Sequence, residues 1–167
     1  MSPGAVTIVV SLGAINWLIL ETLWTKSKLK NGFRIYGAPK GLTVLFSIAI
    51  PLFVYGAIAN GIENHHERWV SAILLGFAIL GVMFFPATIL LSREKVVSLK
   101  WLGFKKIEMK WGQVDAVYSI PEDRSIVIQD KNDRHIVHTL LNVDREGFIS
   151  ELRALPPTVL NRITFQL

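Results

Sequence analysis

The sequence predicts an α+β membrane protein, three transmembrane helices followed by an antiparallel β-meander and a C-terminal helix. Three observations carry that prediction. Apolar residues make up 51% of the 167, but they are unevenly placed. The stretch from Ala5 to Leu91 is apolar with polar interruptions, whereas the stretch from Ser92 onward is charged. Beyond Leu91 the apolar period becomes two, the strand signature, and near the end it becomes helical. The chain therefore divides into a transmembrane region, 1–91, and a cytoplasmic domain, 92–167.

Three apolar segments are read as helices. Residues 5–24 run AVTIVVSLGAINWLILETLW with one ionisable group, Glu21. About 20 apolar residues are what a helix needs to cross a hydrocarbon core of about 30 Å. A secretory signal would place positive charge before a shorter apolar core. Here the basic residues follow instead, which favours a retained helix. Residues 42–59 contain Pro51, where a kink is expected because proline removes a backbone donor. Residues 69–91 carry no charge. Their Gly76 and Gly81 are positions where a neighbouring helix could approach.

Loop charge sets the orientation. The first loop holds Lys26, Lys28, Lys30, Arg34 and Lys40 without an acid, while 60–68, NGIENHHER, carries Glu63 and Glu67 against Arg68. Basic loops stay on the cytoplasmic side. The N-terminus is then outside, the first loop inside, and the C-terminal domain cytoplasmic.

In the cytoplasmic part, Val97, Leu99 and Trp101 alternate with Val96, Ser98 and Lys100, and Ile107, Met109 and Trp111 with Lys106, Glu108 and Lys110. Val114 to Ile120, the pair Ile126 and Ile128, and 135–140 complete five strands. Turns fall at 102–103, 121–124 and 130–133, rich in Gly, Pro and Asp. Phe148, Ile149, Leu152 and Leu155 take helical spacing over about 144–155, with Asn142 or Asp144 as cap and Pro156-Pro157 as stop. The tail 158–167 is short and β-prone, suited to an edge strand or a subunit contact.

Several residue groups bear on function. Arg93, Lys95, Lys100, Lys105, Lys106 and Lys110 make the first hairpin basic against Glu94 and Glu108. Such juxtamembrane charge is attracted to anionic headgroups by about 1 kcal/mol per residue. Strand parity puts Lys100 and Lys106 on the polar side and Lys105 on the apolar side. His65 and His66 could ligate a metal, but no HExxH is present, so a solvated connector is the plainer reading and no metal is expected. His135 and His138 have opposite parity and cannot share an ion. Glu21 is suited to interfacial pairing with Lys26 or Lys28, and Asn16 to a bond between helices. The chain has no cysteine, no nucleophile elbow and no phosphate loop. The reading is therefore non-enzymatic, without a cofactor and without nucleic acid.

The segment Ile107-Glu108-Met109-Lys110-Trp111-Gly112-Gln113-Val114 leading to Val117, between LLSREKVVSL and a helix ending RALPP, resembles the bacterial pleckstrin-homology-like domain of small membrane proteins. Trp111, Val114 and Val117 carry that signature. The resemblance implies a strongly bent sheet, a partial barrel, capped by the C-terminal helix. Five strands are two short of that fold's seven. Either the end of the third membrane segment and the tail supply strands, or the sheet has an open edge. The function expected is a membrane-anchored scaffold that docks a protein partner or an anionic lipid surface and forms a homo-oligomer. The alternatives are an immunity protein that neutralises a toxin, or a non-catalytic accessory subunit of a transporter or enzyme.

Overall fold

The computed structural model describes residues 17, 20–22, 24–63 and 68–167. Trp17, Leu20, Glu21, Thr22 and Trp24 are helical. The rest of the first expected span, Asn16 included, lies outside the described residues.

The first loop is a β-hairpin. Strand β1 (Lys28–Lys30) pairs antiparallel with β2 (Phe33–Tyr36) around Asn31 and Gly32, both with positive φ (51° and 78°). That backbone matches the right-handed twist of the flanking strands, and Asn-Gly adopts it at low cost. Helix α1 (Lys40–Glu63) continues through Pro51. Helix α2 (Arg68–Phe84) packs along it. A Cβ placed on Gly81 would sit 3.2 Å from Ile50, whereas Gly76 faces open space. Of the two glycines, Gly81 is the one at which the helices come close.

The third expected span, 69–91, is not one helix. It stops at Phe84, and Thr88–Leu91 form strand β3. Pro86 disfavours helical backbone at Phe85, and an apolar run this short does not reveal its type by composition. Among the described residues, one helix, Lys40–Ile62, is long and apolar enough to cross a membrane. Three such helices are therefore not found.

The sheet ignores the expected boundary at residue 91. Its order is β1-β2-β3-β4-β5, all antiparallel, with β4 at Lys95–Lys100 and β5 at Lys105–Lys110. A second sheet contains β6 (Val114–Ile120), β7 (Ser125–Asp130), β8 (His135–His138) and β9 (Thr164–Gln166) in the order β8-β7-β6-β9. The tail thus supplies an edge strand, parallel to β6. Helix α3 (Arg145–Arg153) follows β8, and Pro157 opens a short helix α4 (Pro157–Leu160), a position where its missing N–H costs nothing.

The core lies between the two sheets and α3. It includes Ile89, Val96, Met109, Ile128 and Ile136, all fully buried. Phe148 stands edge-on to Tyr36 at 4.9 Å and stacks on His138 at 4.4 Å. The β4 phase differs from expectation. Val96 and Ser98, opposite Met109 and Ile107, are the core-facing set. Val96 and Val97 are both apolar and both buried, so alternation alone could not fix the phase.

Candidate membrane and lipid interface

The six basic residues of the first hairpin do not form one patch. Arg93, Lys95 and Lys110 lie at the β3–β4 turn end, and Lys100, Lys105 and Lys106 at the β4–β5 end. The backbones of the two groups lie about 17 Å apart along the strand, and only the Lys95 and Lys106 side chains meet between them, at Glu108. Register also revises the parity. Lys100 faces Lys105 on one side of the hairpin, while Lys106 lies opposite Leu99 and on the side of Glu108. Glu108 accepts from both Lys106 and Lys95 at 2.7 Å. These two ammonium groups, Lys106 first, hold its carboxyl down at about 2. Lys100 and Lys105 have no carboxylate partner among the described residues. Together with Lys106 and Arg134 they flank an open cleft of about 470 Å³ between β5 and the start of β8.

Trp111, Val114 and Val117 are buried in the core. The Trp111 indole donates to the Ser92 carbonyl at 2.9 Å, and its amide to the Glu94 carbonyl at 3.2 Å. The indole thus fixes the β3–β4 turn beside the β5–β6 connection.

Glu21 does not pair with Lys26 or Lys28. Its carboxylate accepts from the Gly41 amide at 2.9 Å, where the first turn of α1 offers unpaired donors. Lys26 lies 3.4 Å from Asp144 instead. Asp144 occupies the cap position of α3 with left-handed backbone, yet its side chain makes no cap bond. It accepts from the Ser27 amide at 2.9 Å and the Ser27 hydroxyl at 2.6 Å. Those bonds and Lys26 hold its carboxyl below the usual range against the opposing effect of burial. Asn142 is not a helix cap either. Its amide donates to the carbonyls of Ala87 (2.7 Å) and Tyr36 (3.3 Å), and its oxygen accepts from the Thr139 amide at 2.9 Å. One buried side chain therefore joins three parts of the chain.

His138 is buried and His135 half-exposed, on opposite sides of β8. His138 approaches the Val143 carbonyl at 3.3 Å, and burial lowers its pKa to about 4. His65, His66 and Glu67 lie outside the described residues. Among the described residues no three His, Asp or Glu side chains gather as a metal site would require.

The feature that composition alone could not locate is the β4–β5 tip. Trp101, Leu102 and Phe104 are exposed and stand beside α2. Trp101 and Phe104 share an apolar cavity of about 520 Å³ with Ile79, Val82 and Met83 of α2 and Val54 of α1. The ammonium of Lys105 lies 5.2 Å from the centre of the Trp101 ring. Leu102-Gly103 reads as a tight connection and Trp101 as the end of the strand before it, but only the register shows where the tip points. Compared with known proteins, the chain matches no family model, no curated protein and no solved structure.

Proposed function

We propose that this chain is a membrane-anchored, pleckstrin-homology-like interaction module without a catalytic role. In this reading the α1–α2 hairpin sits in a bacterial inner membrane, with the β-domain on the cytoplasmic side. The module docks a partner or an anionic lipid surface and self-associates. The observation that carries the reading is the state of the helices. Helix α2 is apolar on every side, and such a helix belongs either in a core or in a bilayer. Its Trp69, Phe77, Ile79 and Phe84 are each more than half exposed. In α1, 11% of the apolar window is buried. A monomeric soluble protein rarely exposes so continuous an apolar surface. At 17 residues, Trp69 among them, α2 spans about 26 Å, a few ångströms short of a hydrocarbon core of about 30 Å.

The sheet supports a common side for the first loop and the C-terminal half. Strand β2 is hydrogen-bonded to β3, and β3 to β4, and a bilayer cannot divide one sheet. Lys28, Lys30 and Arg34 therefore share a side with Lys100 and Lys105, in keeping with the positive-inside rule. Two open sheets leave edge strands available for another chain. The test is native mass spectrometry of the full chain in detergent after alkaline extraction of membranes. The reading expects the chain to stay in the membrane pellet and to fly as more than one copy or with retained anionic lipid. Release by alkali contradicts the anchor. A bare monomer that retains neither lipid nor partner contradicts the docking role.

A further inference from the structure

The β4–β5 tip is unusual in three independent ways. First, Trp101 and Leu102 both have left-handed backbone (φ 53° and 56°), a conformation that bulky residues avoid. Such strain persists where the surroundings impose it, and it clusters at functional segments. Second, it is not repaid by burial. Trp101, Leu102 and Phe104 are 40%, 54% and 87% exposed, and their large apolar surfaces point away from the core. Third, the tip lies at a defined level relative to α2. Thr88, just past the end of α2, pairs with Leu99, so the chain beyond Leu99 runs back alongside the helix. Trp101 and Phe104 reach Ile79, Val82 and Met83. Ile79 is five residues inward of Phe84, about 7.5 Å along the axis.

We infer that the Trp101–Phe104 tip is a membrane-inserted wedge, seated in an anionic phospholipid leaflet on the same side as the β-domain. This rests on the α1–α2 hairpin being the membrane anchor. If α2 is in hydrocarbon, the tip beside Ile79 is below the headgroups. Lys100 and Lys105 face each other at its root with no carboxylate partner among the described residues, at the level where lipid phosphates lie. Long lysine stems lie along apolar surface while the ammonium reaches the polar layer, and Trp101 under Lys105 is an aromatic suited to that boundary. The charge pair commits the occupant to an anionic lipid rather than to a second protein. The wedge would hold the β-domain close to the leaflet, fixing the tilt of its basic cleft.

The chain contains no cysteine, so a single introduced thiol takes a label uniquely. Full-length Leu102→Cys, Leu80→Cys and Asn132→Cys chains carrying a nitroxide are reconstituted in vesicles of phosphatidylcholine and phosphatidylglycerol. Collisions with oxygen and with a water-soluble nickel chelate are then compared. The wedge predicts that the label at 102 follows the label at 80, rich in oxygen collisions, with nickel collisions several-fold below those at 132. Nickel access at 102 equal to that at 132, with 80 in lipid, overturns the wedge and leaves the anchor standing. Nickel access at 80 overturns the anchor itself. Shielding of 102 from both reagents points to a protein occupant and also overturns the wedge. With Lys100→Glu and Lys105→Glu added, the label at 102 is expected to shift outward in phosphatidylglycerol vesicles and to lose its dependence on that lipid. An unchanged depth overturns the anionic assignment.

Discussion

Replacing Asn142 by alanine tests whether the N-terminal hairpin, the segment after α2 and the C-terminal half fold as one body. The side chain is 2% exposed. It donates to Ala87 and Tyr36 and accepts from Thr139. Alanine leaves two carbonyls and the Thr139 amide without this partner, and also frees the Thr139 hydroxyl, which can rotate toward another acceptor. An unsatisfied buried polar group costs about 1–3 kcal/mol. The Tyr36 bond is long and the Ala87 site only partly buried, so the lower end applies to each, and the sum is about 3 kcal/mol. The assay is equilibrium denaturation of the full chain in mild detergent, followed by fluorescence of buried Trp111. Asn142→Asp serves as the paired variant, since it keeps the acceptor toward Thr139 and loses both donors. The reasoning expects Asp to fall short of the wild type by nearly as much as Ala. A loss below about 1 kcal/mol for Ala, the size of one ordinary net hydrogen bond, would refute the claim that this amide ties the three segments together.

Two further outcomes follow from the same region. Burial lowers the folded pKa of His138 from 6.5 to about 4, so the unfolded chain binds the proton first as pH falls. Stability is then full above about 6.5 and is lost progressively toward 4; at ~1.4 kcal/mol per pH unit the gap amounts to about 3 kcal/mol. Denaturation midpoints of wild type and His138→Phe across pH 4–7 check this, the variant being expected to show a shallower slope there. The lowered carboxyls of Asp130 and Asp144 add a further acid-side loss common to both chains. A Cβ at Gly147 would collide with the Asp144 carboxylate, so Gly147→Ala is expected to displace that group from Ser27. Faster amide exchange at Ser27 would report it, and unchanged exchange would show that the carboxylate has room to move.

Much of the β-domain was legible because its strands alternate and its turns carry Gly, Pro and Asp. Strands β4 to β8 and helix α3 fall where the pattern puts them. The misses have physical causes. Asn31-Gly32 is a strong hairpin signal, but it sits inside a run of lysines that reads as a loop charge. Thr88–Leu91 continues an apolar segment, and only Pro86 marks the break. Glu21, Asn142 and Asp144 read as having local roles, whereas each makes a long-range bond, at separations of 20, 106 and 117 residues. Sequence spacing carries no signal for such pairs. The basic residues were found as a set, but which of them neutralise one another depends on register. Val96 and Val97, both apolar, conceal it.

The central claim is that the exposed apolar surface of α2 faces lipid. A nitroxide scan through positions 72–80 of the full chain in vesicles tests it most directly. The account predicts oxygen collisions exceeding nickel collisions at every exposed position, with no water-facing side. Nickel access recurring every three to four residues would show a helix half in water, and would contradict the membrane anchor on which the proposed function rests.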